Sequence, residues 1–171
     1  MQETEEPMPL PERSGIRSTA RIGGHPIHPM LVPFPIAFLI GALLSDLAYA
    51  GTRNAFWATA SAWLVGAGVV GGVLAALAGV TDFLGNERIR ALNDAWHHFL
   101  GNGLAMVLSL ISLFLRVGRG PAEALLPWGL LLSLATVGIL AYTGWLGGEL
   151  VYHHRVGMMD ADDETGPGRR P

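Results

Sequence analysis

Six histidines fall in three close pairs along the 171 residues: His25 and His28, His97 and His98, His153 and His154. Imidazole is the commonest metal-ligating side chain. With a carboxylate and no thiolate it suits zinc, iron, copper or manganese. The chain has no Cys. That excludes disulfides, Cys-ligated iron–sulfur clusters, c-type haem attachment, thiolate zinc sites and Cys nucleophiles. Two chemistries stay open: a His/Asp site for a transition metal, and a single b-type haem held by two axial imidazoles.

The elements that must carry these residues follow from hydropathy. Half the residues are hydrophobic, 15% are charged, and mean hydropathy is +0.38. A soluble domain is about a quarter charged. The charges gather at the termini and in short gaps between long apolar runs. A spanning helix needs about 20 mostly apolar residues, and four segments qualify: 31–50, 57–84, 95–115 and 124–152. The expected fold is therefore an all-α integral membrane protein, a four-transmembrane-helix bundle with both termini on the same side. Residues 1–22 and 159–171 read as loose tails around a 23–158 domain. Residues 1–12 have no basic stretch followed by an apolar one, so no signal peptide is expected there. No internal repeat is evident. A formal charge of −3 with no basic run gives no nucleic-acid footprint. The partner is the lipid bilayer.

Orientation follows from arginine. Arg13, Arg17, Arg21, Arg88, Arg90 and Arg155 fall on the side of the termini, against Arg53, Arg116 and Arg119 opposite. That bias favours cytoplasmic termini in a bacterial inner membrane. Gly68 and Gly72, and Gly144 and Gly148, have the spacing that lets membrane helices approach closely, which fits a tight bundle or a homo-oligomer.

All three His pairs and Asp82 come to the membrane face of the termini. His25 and His28 each precede a proline, which biases both toward extended backbone and predicts a stiff arm over the bundle mouth. On the third helix His98 and Asn102 share a face, and Asp94, one turn earlier, could orient the His98 ring. His97 points about 100° away from that face. On the fourth helix Glu149 and His153 are four apart, a pair worth a few tenths of a kcal/mol when exposed. Asp46 lies about 22 Å along the first helix from Leu31, near the opposite face. It cannot join the histidines, and a structural bond to Ser, Thr or Trp of a neighbouring helix is the expected role.

These residues sit in longer motifs. Gly24-His25-Pro26-Ile27-His28-Pro29-Met30-Leu31-Val32, then Phe34-Pro35-Ile36 and Asp46, resemble the opening of a bacterial and archaeal membrane family, domain of unknown function 2231. The resemblance continues through Gly79-Val80-Thr81-Asp82, His98-Phe99-Leu100-Gly101-Asn102 and Gly147-Gly148-Glu149-Leu150-Val151-Tyr152-His153-His154, then Val156-Gly157. It implies that His25, His28, His98 and His154 are the family histidines and that His97 and His153 are extra neighbours. Arg155 stands where the family usually has Gly. The resemblance brings no established activity. Some relatives are joined to Rieske-type iron–sulfur domains, which by analogy implies redox company.

The leading expectation is a metal or haem site lined by His25, His28, Asp82, His98 and His154, with Asp94, Asn102, Glu149 and Tyr152 supporting it. For haem, the expected axial pair is His98 with His154. The chain has no His for the far face, so it supports one haem, not a two-haem wire. A redox partner or membrane complex would then receive the electrons. The alternatives are a non-catalytic membrane subunit or scaffold, and a metal-dependent membrane hydrolase using Glu149 or Asp94 as base. A channel would need polar residues through the bundle middle, and the second helix offers Gly and Ala there.

Overall fold

A computed structural model describes residues 15–158. The expectations for 1–14 and 159–171 lie outside the described residues. Chain order begins with a two-residue hairpin, β1 Arg21–Ile22 and β2 His25–Pro26. There follow α1 Ile27–Leu31, α2 Pro33–Thr52, α3 Ala55–Gly85, α4 Glu87–Arg90, α5 Asn93–Arg119, α6 Pro121–Ala124 and α7 Leu130–Gly148. The backbone kinks at Leu126 before α7, and wider helical turns carry α7 on through Glu149–His153. Four stretches are long and apolar enough to cross a membrane: Ile27–Thr52, Ala55–Gly85, Asn93–Arg119 and Pro121–His153.

His25 is extended in β2 as expected, but His28 is not: it lies in α1. Pro29 is tolerated there because the first turn of a helix needs no N–H. Pro33 and Pro35 open α2 by the same logic. Asn54 starts α3 by accepting a hydrogen bond from the Phe56 N–H, a side-chain cap.

The bundle is inside-out relative to a soluble one. Phe34, Trp63, Phe114 and Trp128 are exposed, while Ser61, Ser109, Ser112, Ser133, Thr136, Thr143, Asp46 and Arg116 are buried. Lipid accepts the apolar surface, so contact between helices rests on close packing and polar bonds. α2 packs on α3, α5 on α7, and the two hairpins join through α2–α7 and α3–α5. That order places α2 diagonally across from α5, and α3 across from α7.

The two hairpins are a structural repeat. His28 and His98 are 70 residues apart, and so are Asp46 and Arg116. With the same offset, buried Pro35, Leu39 and Ala42 of α2 match buried Ala105, Ser109 and Ser112 of α5. With an offset of 68, buried Ser61, Val65, Gly68, Ala75 and Ala78 of α3 match buried Gly129, Ser133, Thr136, Thr143 and Leu146. Both hairpins start at the same end, so this is a parallel repeat about an axis along the bundle. Almost none of the paired residues are identical, which is why the sequence alone shows no repeat.

At the far end, about 9 Å along α2 from Thr52, the diagonal helices meet through a buried ion pair. Asp46 Oδ1 accepts from Arg116 Nη1 at 3.0 Å and Oδ2 from Nη2 at 2.8 Å. Ser61 Oγ donates to Asp46 Oδ1 at 2.5 Å and Ser133 Oγ to Oδ2 at 2.6 Å. Arg116 Nε donates to Ser112 Oγ at 3.1 Å. All four long helices meet at this knot, and both charged side chains are fully buried. The expected serine bonds of Asp46 are present, together with Arg116, whose place near the end of the third span resembles that of an interfacial charge.

At the near end the two ends of the described chain come together. Ile16 bridges Val156, its N–H donating to the Arg155 carbonyl and its carbonyl accepting from Gly157. Ile16 packs with Phe83, Ile89, Ala95 and Leu150. Residues 15–22, expected within a loose tail, are thus fastened to the bundle. Arg155 has φ 56°, a left-handed backbone that favours Gly. A Gly, which the family resemblance implies at this turn, would take that backbone without strain.

The ion pair makes a direct prediction. Asp46→Ala should cost about 3–5 kcal/mol, because it leaves Arg116 charged and buried. The double variant Asp46→Leu/Arg116→Met should lose much less than the sum of the two single changes. Unfolding in mixed detergent micelles measures both, and simple additivity would remove the pair from its role.

Candidate functional site

The site is built by helix starts and glycine notches. His28 on α1 reaches across to α3, where its Nδ1 lies 2.8 Å from the Ala75 carbonyl oxygen. His98 on α5 does the same to α7, with Nδ1 2.9 Å from the Thr143 carbonyl oxygen. A carbonyl only accepts, so each Nδ1 carries the proton. In the neutral ring Nε2 is then left with the free lone pair. This is how metal-ligating imidazoles are held: one nitrogen is anchored to a carbonyl and the other presented.

The rings fit because two glycines make room. A Cβ on Gly79 would lie 2.8 Å from the His28 ring, and one on Gly147 would lie 3.2 Å from the His98 ring. Gly79 and Gly147 are repeat equivalents, as are Ala75 and Thr143. The two rings come together edge to face with centroids 6.2 Å apart. Asn102 supports the second ring's helix, its Nδ2 donating to the His98 carbonyl at 2.7 Å and its Oδ1 accepting from Thr143 Oγ1 at 3.3 Å.

The other expected ligands are placed elsewhere. His25 is exposed in the hairpin. Asp82 Oδ1 accepts three hydrogen bonds, from Ser18 Oγ at 2.7 Å and from the backbone N–H groups of Thr19 at 2.6 Å and Ala20 at 2.7 Å. It anchors the segment that leads into α1. His154 Nε2 lies 2.9 Å from Asp94 Oδ2. The expected pairing of Asp94 with His98 is therefore replaced by a long-range one. The helix face that Asp94 shares with His98 also meets the end of the fourth span, and His98 is already anchored to Thr143. His98 with His154 is likewise not the facing pair, and His28 takes that place. Among the described residues, no group of three or more His, Cys, Asp or Glu is arranged to hold a metal ion.

Four smaller expectations can be placed as well. His97 is exposed. Glu149 and His153 form a loose pair at 3.8 Å. Tyr152 is 82% exposed. Gly68 closes on Leu39 and Gly72 on Met106, while Gly144 and Gly148 have nothing within 4 Å. Only the first glycine pair therefore serves a contact within the chain.

Between the His pair and the ion pair lies a small cavity of about 10 Å³, lined by Leu39, Ala42, Val65, Ser109, Ser112, Ser133 and Thr136. These hydroxyls belong to the third and fourth helices, whereas the second helix offers Gly and Ala at the same depth. Their signal is the spacing of His98, Asn102, Ala105, Ser109, Ser112 and Arg116, alternately four and three residues apart, which marks one inward stripe.

A family model described as "predicted membrane protein (DUF2231)" matches residues 24–160. No curated protein and no solved structure matches the chain.

The notches are testable. Gly79→Ala should push the His28 ring out of its seat and cost about 1–3 kcal/mol, as overpacking does. Gly144→Ala should be neutral or stabilise by up to about 1 kcal/mol. Thermal unfolding of the two variants in detergent decides, and equal behaviour would mean that the notch does not hold the ring.

Proposed function

The chain belongs to the DUF2231 family of predicted membrane proteins, and from that premise we propose that His28 and His98 hold a transition-metal centre with a redox role. The observation that carries this reading is the matched anchoring of the two rings. Each Nδ1–H is committed to a carbonyl of the neighbouring helix, and each Nε2 is left to bind. Two imidazoles on facing elements are what the iron of a single b-type haem takes from a protein, its other four positions being porphyrin nitrogens. A bare zinc, iron or copper ion would need further ligands from water or a partner. Haem iron is therefore the better match to the ligand count.

All six histidines stand on the near side of the bundle, so one centre would exchange electrons at one membrane face with a redox partner or membrane complex. The excess of arginine at that end supports a cytoplasmic face in a bacterial inner membrane.

A second reading has its own support. Asp82, Asp94 and His154 each spend their polar atoms on holding segments together. A non-catalytic membrane subunit or scaffold would use them in that way. A metal hydrolase needs a third ligand, and these same contacts engage the residues that would supply it.

Optical spectra and metal analysis of detergent-purified protein, expressed with haem precursor and trace metals, test the proposal. About one haem or metal ion per chain is expected. His28→Ala and His98→Ala should each abolish it, while His97→Ala and His153→Ala should retain it. His154→Ala should retain it with some loss of stability. A well-folded wild type without a cofactor, or equal retention in every variant, would overturn the metal reading in favour of the scaffold.

A further inference from the structure

The repeat supplies an internal control for every polar residue in the bundle core. Three repeat-equivalent pairs line the central cavity: Leu39 with Ser109, Ala42 with Ser112, and Val65 with Ser133. Thr136, the equivalent of Gly68, completes the wall. In each pair the first hairpin is apolar or bare and the second carries a hydroxyl. Packing at these positions does not demand a hydroxyl, because the first hairpin packs well without one.

The hydrogen bonds of the wall are unevenly spent. Ser133 donates to Asp46 and lies 3.3 Å from Arg116 Nη2. Ser109 donates to the Ala105 carbonyl at 2.8 Å and keeps lone pairs. Ser112 accepts from Arg116 Nε, and among the described residues its own O–H has no acceptor. Thr136 is only 3% exposed, and among the described residues its hydroxyl has no partner either. The cavity wall thus offers two unspent O–H donors and one acceptor.

We propose that this cavity is a binding site for one water molecule, which accepts from Ser112 and Thr136 and donates to Ser109. The volume is right for a single water, and such waters make about three hydrogen bonds to buried polar groups. The water would extend the hydrogen-bonded shell of Arg116 toward the bundle centre through Ser112. An ion is a poor occupant. The Arg116 charge beside the cavity repels cations, and Asp46 already satisfies that charge against anions.

X-ray radiolytic footprinting of the full chain in lipid nanodiscs tests this, because hydroxyl radicals formed from a bound water label the side chains around it. Leu39 and Val65 are 6% and 2% exposed, and they should be labelled well above other equally buried leucines and valines. That excess should be lost in Thr136→Val, which is close to isosteric and keeps the fold. Labelling of Leu39 and Val65 at the background of other core residues in the wild type would overturn the proposal. So would labelling unchanged in Thr136→Val. Xenon binding in the cavity of the wild-type protein under pressure would also overturn it, since a dry apolar void takes xenon.

Discussion

The bond on which the rest of this structure depends is the Asp46–Arg116 pair. Two charges are taken entirely out of water, and each is costly to bury alone. Together they form two parallel N–H···O bonds, the strongest geometry for such a pair. Ser61 and Ser133 complete the carboxylate shell and Ser112 part of the guanidinium's. In lipid no hydrophobic drive selects which helices touch. A pair that is tolerable only when closed therefore acts as a specification. It sets α2 diagonally against α5 and ties α3 and α7 to the same level.

That specification reaches the other end of the bundle. His28 stands 18 residues before Asp46, and His98 stands 18 residues before Arg116. At 1.5 Å per residue both intervals are about 27 Å. Fixing the two charges side by side brings the two rings to the same height. The glycine notches at Gly79 and Gly147 then let each ring sink to a carbonyl on its own hairpin. The facing imidazoles are thus a consequence of register set far away, made symmetric because the two hairpins are built on one plan.

How much of this could be read in the residues depends on the range of the interaction. The four spans, the shared face of His98 and Asn102, and the exposed Glu149–His153 pair are local, and all are legible. Arg116 is not, because it stands three residues before the end of α5 and looks like an interfacial arginine. The missed clue was Asp46: a carboxylate inside a span calls for a counter-charge. Spacing pairs Asp94 with His98 one turn on, but His154, 60 positions away, takes it. Asp82 has the residue type of a ligand, but three donors of residues 18–20 converge on one of its oxygens. Partner choice among several nearby polar groups is a tertiary fact. Spacing along one helix restricts that choice without deciding it.

The repeat also separates what the bundle needs from what the site needs. Features present in both hairpins, the inward histidine and the glycine that seats it, belong to the near-end pair. Features present in one hairpin only, the hydroxyls of Ser109, Ser112, Ser133 and Thr136, belong to the interior around Arg116. A ligand held between His28 and His98 would be gripped by two halves that touch chiefly through packing and one ion pair. Coordination tolerates errors of only about 0.5 Å, and a slip of one residue along a helix is about 1.5 Å. A pair of residues some 27 Å from the rings can therefore control the geometry there without taking part in any chemistry.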